Sequence, residues 1–476
     1  MSRFRNFATQ KLAALGPKYL PFADVATAEV SLARLIRLSL FQVSVGMALV
    51  LLVGTLNRVM IVELAVPATL VAVMLALPLV FAPFRTLIGY KSDTHVSALG
   101  LRRIPYIWKG TLCQFGGFAI MPFALLVLSG YGEAVDAPRW IGLSAAALAF
   151  LLVGAGVHIV QTVGLALATD LVREADQPKV VGLMYVMLLL GMVLSALVFG
   201  ALLENYTPGR LIQVIQGTAV LSAALNLAAV WKQETRSRDR AAQMKTARPE
   251  PFSKAWAQLA RTPGIARLLV VITLGTFGFG MADVLLEPYG GQALGLSVAD
   301  TTKLTALFAG GTLIGFGVAS RLLSGVYRPE RLALNGAGLG VPGFVLIILA
   351  SLGGGVASFL AGIFLVGIAT GLFGHATLTA TMRAAPSDRI GLALGAWGAA
   401  QACAAGLGVA LAGIVRDVIV GLQGPAGNAA ALPYNTVFGI EAFSLLVAII
   451  VLWPMVQGGL YSTTNDHRTT KGVEAS

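Results

Sequence analysis

The chain has 476 residues, 57% of them hydrophobic and only 12% charged, and its mean hydropathy is +0.80. A soluble domain carries about a quarter charged residues, so these values exclude a soluble globular protein and point to an all-α polytopic membrane protein. The formal net charge of +12 then reads as a topology signal rather than a nucleic-acid signal.

Residues 1–37 form a basic, amphipathic segment in which Arg3, Arg5, Lys11 and Lys18 alternate with Phe4, Phe7, Leu12 and Leu15. No apolar core with a small-residue cleavage site is present there. The segment is read as cytoplasmic and lying on the anionic membrane surface, not as a signal peptide. A first six-helix half is expected over 38–231, with spans at 38–59, 66–90, 104–128, 140–169, 180–203 and 211–231. The second span contains three prolines and carries Arg85 in its last turns, and the fourth contains His158. Residues 232–263 break the pattern. Arg236, Arg238, Arg240, Lys245 and Arg248 lead to Pro249 and Pro251, the composition of a solvated cytoplasmic linker. A second half, 264–456, repeats the plan with spans at 265–289, 302–323, 332–352, 356–382, 391–420 and 435–455; the tenth span carries His375. The eleventh is rich in Gly and Ala and suited to close packing. A polar tail occupies 457–476. Cys113 and Cys403 lie in separate spans and read as small packing residues without a disulfide.

Lysines and arginines crowd the N-terminus, the loops after the even-numbered spans and the C-terminal tail. The opposite loops hold only Arg58, Arg139, Arg210 and Lys303. The positive-inside rule then places both termini in the cytoplasm. The stretches beginning at Val180 and Arg389 resemble one another, and each follows a short charged loop after a histidine-bearing span.

The stretch 275–295, GTFGFGMADVLLEPYGGQALG, is apolar enough to cross a membrane yet carries Asp283 and Glu287. Four residues apart on a helix, the two carboxyls share one face. Acids inside a span are costly and usually turn toward a protein interior or a wet cavity. The alternative is a solvated helix end at the membrane surface. Pro288, Gly290 and Gly291 follow at once, so the helix is expected to break or end there. The other ionisable groups in or at spans are Glu63, Arg85, Asp93, Asp170 and Glu441, and Arg85 is expected to pair with Asp93 or Asp170. The sequence offers no hydrolytic triad, metal-ligand cluster or Walker-type loop, and the expectation is a protein that is not an enzyme.

Twelve transmembrane helices in two six-helix halves resemble the pseudo-twofold bundle of the major facilitator superfamily. After the second span, Gly89 and Asp93 resemble the opening of that superfamily's cytoplasmic loop motif. Arg102 and Arg103 resemble its basic end, with about five extra residues between. This would be a latch in which Asp93 favours a helix N-terminus and the arginines pair across the halves. Longer phrases are more specific. LFQVSVGMALVLLVGTLNRVMIVEL, the run from PLVFAPFRTLIGYKSD to QFGG, and MADVLLEPYGGQALGLS look like the PucC/LhaA family, and the likeness covers roughly 19–453.

That resemblance implies a multi-pass protein of the bacterial inner, intracytoplasmic membrane that assists assembly of a light-harvesting antenna, the core antenna in preference to the peripheral one. It implies handling or delivery of bacteriochlorophyll, with carotenoid a further candidate. Antenna polypeptides would be its partners, with the reaction-centre core complex and the pigment-synthesis and membrane-insertion machinery as further candidates. The lipid bilayer surrounds it, and no nucleic acid is involved. Neutral imidazole can ligate the Mg of a chlorin, so His158 and His375, on equivalent spans of the two halves, join Asp283 and Glu287 as candidate pigment contacts. A packed histidine bonded to its neighbours is the competing reading. The competing function is secondary transport of a small lipophilic substrate.

Overall fold

Long apolar runs dictate helices, because a backbone in hydrocarbon must satisfy its own hydrogen bonds. The computed structural model describes residues 30–80, 103–130, 136–172, 177–234, 259–323, 327–385, 390–423 and 430–458, with Ile88, Ser92, Leu101, Ala134 and Ala257 besides. The first half contains α1 (Leu32–Glu63), α2 (Ala68–Val80), α3 (Ile104–Ser129), α4 (Arg139–Asp170), α5 (Gln177–Leu202) and α6 (Pro208–Val230). The second contains α7 (Ile265–Gln292), α8 (Val298–Leu323), α9 (Pro329–Leu349), α10 (Gly355–Ala384), α11 (Ile390–Gln423) and α12 (Leu432–Gly458). Among the described residues ten stretches are long and apolar enough to span a membrane, and one of these, Pro329–Ala384, contains both α9 and α10. Gly353 and Gly355, with φ of 120° and 61°, reverse the chain between them, a conformation that favours glycine. The second span, expected over 66–90, is described as a helix only over Ala68–Val80. The first span starts earlier than expected, at Leu32, so the N-terminal segment yields its last residues to α1.

Buried side chains form two main clusters, one built mostly from α1–α6 and the other mostly from α7–α12. The halves meet where α2 packs on α11 and α5 on α8. The two stretches that resemble each other, on α5 and α11, thus occupy equivalent positions at the seam. Small residues let α11 approach as expected: a Cβ on Gly413 would lie 2.7 Å from the Ala68 carbonyl oxygen of α2. Cys403, expected to pack, is exposed, while Cys113 is partly buried; both are free thiols.

Gly89, Asp93, Arg102 and Arg85 lie outside the described residues. Arg103 is buried and binds within its own half: its Nε donates to Asp170 at 3.0 Å and its Nη1 to the Ser92 hydroxyl at 2.8 Å. Asp170, one of the two acids expected near Arg85, meets Arg103 at the same end of the first half. The start of the linker is also structural. Glu234 accepts from the backbone N–H groups of Arg103 and Ile104 at 3.0–3.1 Å, capping α3. Gln233 and Arg34 exchange hydrogen bonds that tie the end of α6 to α1. Glu234→Ala should lower stability by about 0.5–2 kcal/mol, the scale of a lost helix cap. Asp136→Asn, at an exposed position, should leave it unchanged; thermal unfolding in detergent compares the two. A topology reporter fused after Ser476 should be active on the cytoplasmic side alone, and activity only in the periplasm would overturn the orientation.

Candidate functional site

The acid-bearing helix ends at Gln292, just past the Pro-Gly-Gly run as the sequence suggested, and it carries an earlier break besides. α7 runs as Ile265–Gly280, is interrupted at Met281, and continues as Ala282–Gln292 straight through Pro288. Two side chains satisfy the backbone groups this leaves open. Pro288 has no N–H, so the carbonyl four residues back, on Val284, loses its helical partner. Asn57 of α1 supplies the missing donor, its Nδ2 lying 2.8 Å from that oxygen. At the interruption, the Ala282 N–H donates to Glu441 Oε1 of α12 at 2.5 Å. The second segment of α7 is thus completed by one side chain from each half.

The glycines have a separate role. A Cβ on Gly291 would approach Arg58 Nη2 to 3.1 Å, so Gly291 makes room for a guanidinium laid against the helix. Arg58 pairs with Glu63 and donates to the Leu296 carbonyl at 3.2 Å. It was expected in a loop but is buried. In the loop between α5 and α6, Tyr206 feels the same ion pair. Burial pushes its phenol up to about 12, with the Glu63 carboxylate adding to the rise and Arg58 opposing it.

α1 is π-wound over Val50–Leu56 and Val59–Glu63 beside this segment, a distortion common at functional sites. Thr55 and Thr302 meet across the halves at 3.3 Å. Asp417 of α11 accepts from the Thr69 N–H at the start of α2 at 2.7 Å. Among the described residues, every hydrogen bond between the halves named here lies at the end of the bundle where α1 and α7 finish. The two phrases TLNR and MADVLLEPYGG, far apart in sequence, therefore form one clasp.

Beneath the clasp lies a pocket of about 150 Å³ lined by Leu49 and Val53 of α1, Met192 of α5, Asp283, Leu286 and Glu287 of α7, and α8 residues that include Thr305 and Phe308. Both halves contribute. Asp283 and Glu287 share its wall, as their spacing predicted. Glu287 is only 5% exposed, which overturns the reading of a solvated helix end for this residue. Its Oε1 accepts from the Thr305 hydroxyl at 2.8 Å, while Oε2 is buried without a hydrogen-bond partner. Gly54 keeps α1 close, since a Cβ there would sit 2.6 Å from Thr305 Oγ1. The pocket is smaller than the roughly 300–1,000 Å³ of ordinary ligand sites. A chlorin macrocycle does not fit inside it whole; an edge, a substituent or part of a tail does.

The histidines stand apart from the acids and neither lines this pocket. His375 is partly buried, its ring edge-on to Phe316 of α8 at 4.2 Å, and its Nδ1 is buried without a hydrogen-bond partner. His158 is partly buried on α4. The residues not assigned to the site from the sequence are Asn57, Arg58, Thr302, Thr305 and Glu441. Glu441 was visible as a charge inside a span, and Asn57-Arg58 as two polar residues ending an apolar run. Several of the partners that place them lie far off in the chain: Asn57 meets Val284, Arg58 meets Leu296, Thr302 meets Thr55 and Glu441 meets Ala282.

The architecture is matched by solved structures. A bacterial homologue of the human lysosomal transporter Spinster, in an inward-facing and unoccupied conformation, superposes with a TM-score of 0.67 at 15% identity, covering 89% of this chain and 96% of that one. The protein therefore has the major facilitator superfamily fold of a multi-pass membrane protein. The profile of the family described as PUCC protein matches residues 55–460. The protein named PucC of Rhodobacter capsulatus is 71% identical over 458 residues, 96% of this chain and 99% of that protein. PucC of Rhodovulum sulfidophilum is 59% identical over 91% of this chain and 96% of its own length. The chain belongs to the PUCC family.

Proposed function

We propose that this protein is a non-enzymatic assembly factor for a light-harvesting antenna, the core antenna in preference, and that it binds nascent antenna polypeptides and handles bacteriochlorophyll as cargo. It works in the inner membrane with both termini cytoplasmic. The observation that carries this reading is the convergence of the two most family-like phrases on one pocket between the halves, greasy but for two carboxyls and a hydroxyl. A polar nutrient needs a denser array of donors and acceptors than this. A pigment edge or tail does not. The unpartnered Glu287 oxygen stands ready for one polar contact with such a cargo. His375 and His158 remain candidates for a second contact outside the pocket.

Secondary transport of a small lipophilic substrate is the competing reading, favoured by the pocket's small volume. Purification from phototrophic cells in mild detergent separates the two. Antenna polypeptides and pigment together support the assembly role, and neither supports the transporter. Polypeptides without pigment would reduce the protein to a scaffold and overturn pigment handling.

A further inference from the structure

The second segment of α7 has two loose backbone groups in the protein interior, and each is met by a buried side chain. Pro288 frees the Val284 carbonyl, which Asn57 binds from the first half. The interruption at Met281 frees the Ala282 N–H, which Glu441 binds from α12. Asn57 and Glu441 are both 0% exposed. Asp283 lies between these two attachments, and Glu287 follows within the same turn. We propose that Asn57 and Glu441 are the positioning residues of the acid pocket, and that the pocket takes its working shape only while Asn57, from the opposite half, holds the segment.

An unmet backbone group in hydrocarbon costs several kcal/mol, so neither attachment is replaceable by lipid. Asn57 adds a dependence that Glu441 does not, since it binds across the seam and lets go if the halves part at this end. The site would then be intact in one arrangement of the halves and slackened in the other. Asp283 and Glu287 would change their grip on a cargo without themselves being the moving contact. The inference rests on the pocket being the working site proposed above, but its geometry can be read without any cargo.

The test uses the full-length protein with Cys113 and Cys403 replaced by Ser and one reporter thiol at the pocket wall, Met192→Cys on α5. Its labelling by N-ethylmaleimide in native membranes reports pocket shape. Glu441→Gln keeps the acceptor oxygen and should label at the parent rate. Glu441→Met and Asn57→Leu should each change the rate about tenfold, the scale of leaving one buried backbone group unpaired. Pro288→Ala restores the N–H that serves Val284, so adding it to Asn57→Leu should return the rate toward that of the parent. If Asn57→Leu is instead lost from the membrane, Pro288→Ala should restore its level. Parent-like labelling in Glu441→Met and Asn57→Leu, or no rescue of Asn57→Leu by Pro288→Ala, overturns the proposal. Altered labelling in a protein that never carries pigment leaves the positioning role standing and removes the pigment reading alone.

Discussion

Replacing Asp283 with Asn and Glu287 with Gln together should leave the protein in the membrane and cut antenna assembly at least about tenfold, the scale of losing one or two buried polar contacts to a cargo. The amides match the acids in size. Uncharged groups cross the bilayer more cheaply than carboxylates, so insertion should not suffer. Asn57 and Glu441 still hold the backbone of the segment, so the helix should keep its place. Only the chemistry of the pocket wall changes. Immunoblotting of membranes gives the protein level, and antenna absorption of whole cells gives assembly. Full antenna in the double variant would return the acids to a structural role and move the search to His375 and His158.

Gly54→Leu should be nearly as severe, for a steric reason. The first added carbon would lie 2.6 Å from Thr305 Oγ1 and push Thr305 off Glu287. Overpacking of this kind costs about 1–3 kcal/mol, and the rest of the leucine would enter the pocket. Antenna assembly should be lost and the melting temperature lowered. Gly310→Ala, on α8, provides the control. Its Cβ meets nothing within 4 Å, and a Gly-to-Ala change in a helix gains up to about 1 kcal/mol, so both assembly and melting should stay near normal. Equal behaviour of the two variants would show that contact between α1 and α8 does not shape the site.

How far the sequence carried the reading follows from the range of each interaction. Apolar runs are local, so helices such as Ile104–Ser129 and Arg139–Asp170 fell within a residue or so of the expected spans. The Asp283–Glu287 pair was legible because helical spacing alone puts both acids on one face. The passage of the helix through Pro288 was not, because it depends on a donor for Val284, and that donor is Asn57. Arg58 read as a loop residue for the same reason, since its partner carbonyl on Leu296 and the space above Gly291 come from the other half. The pairing of Arg103 with Asp170 was not legible either, because it is set by the packing of α3 on α4.

The absorption spectrum of the protein purified from phototrophic cells in mild detergent tests the central claim most directly, taken for the native chain and for Glu287→Gln side by side. The account predicts a bacteriochlorophyll band with the native protein that is lost or displaced in the variant, with both chains at equal level. A native preparation that carries antenna polypeptides and no pigment band, or an identical band in the variant, would contradict it.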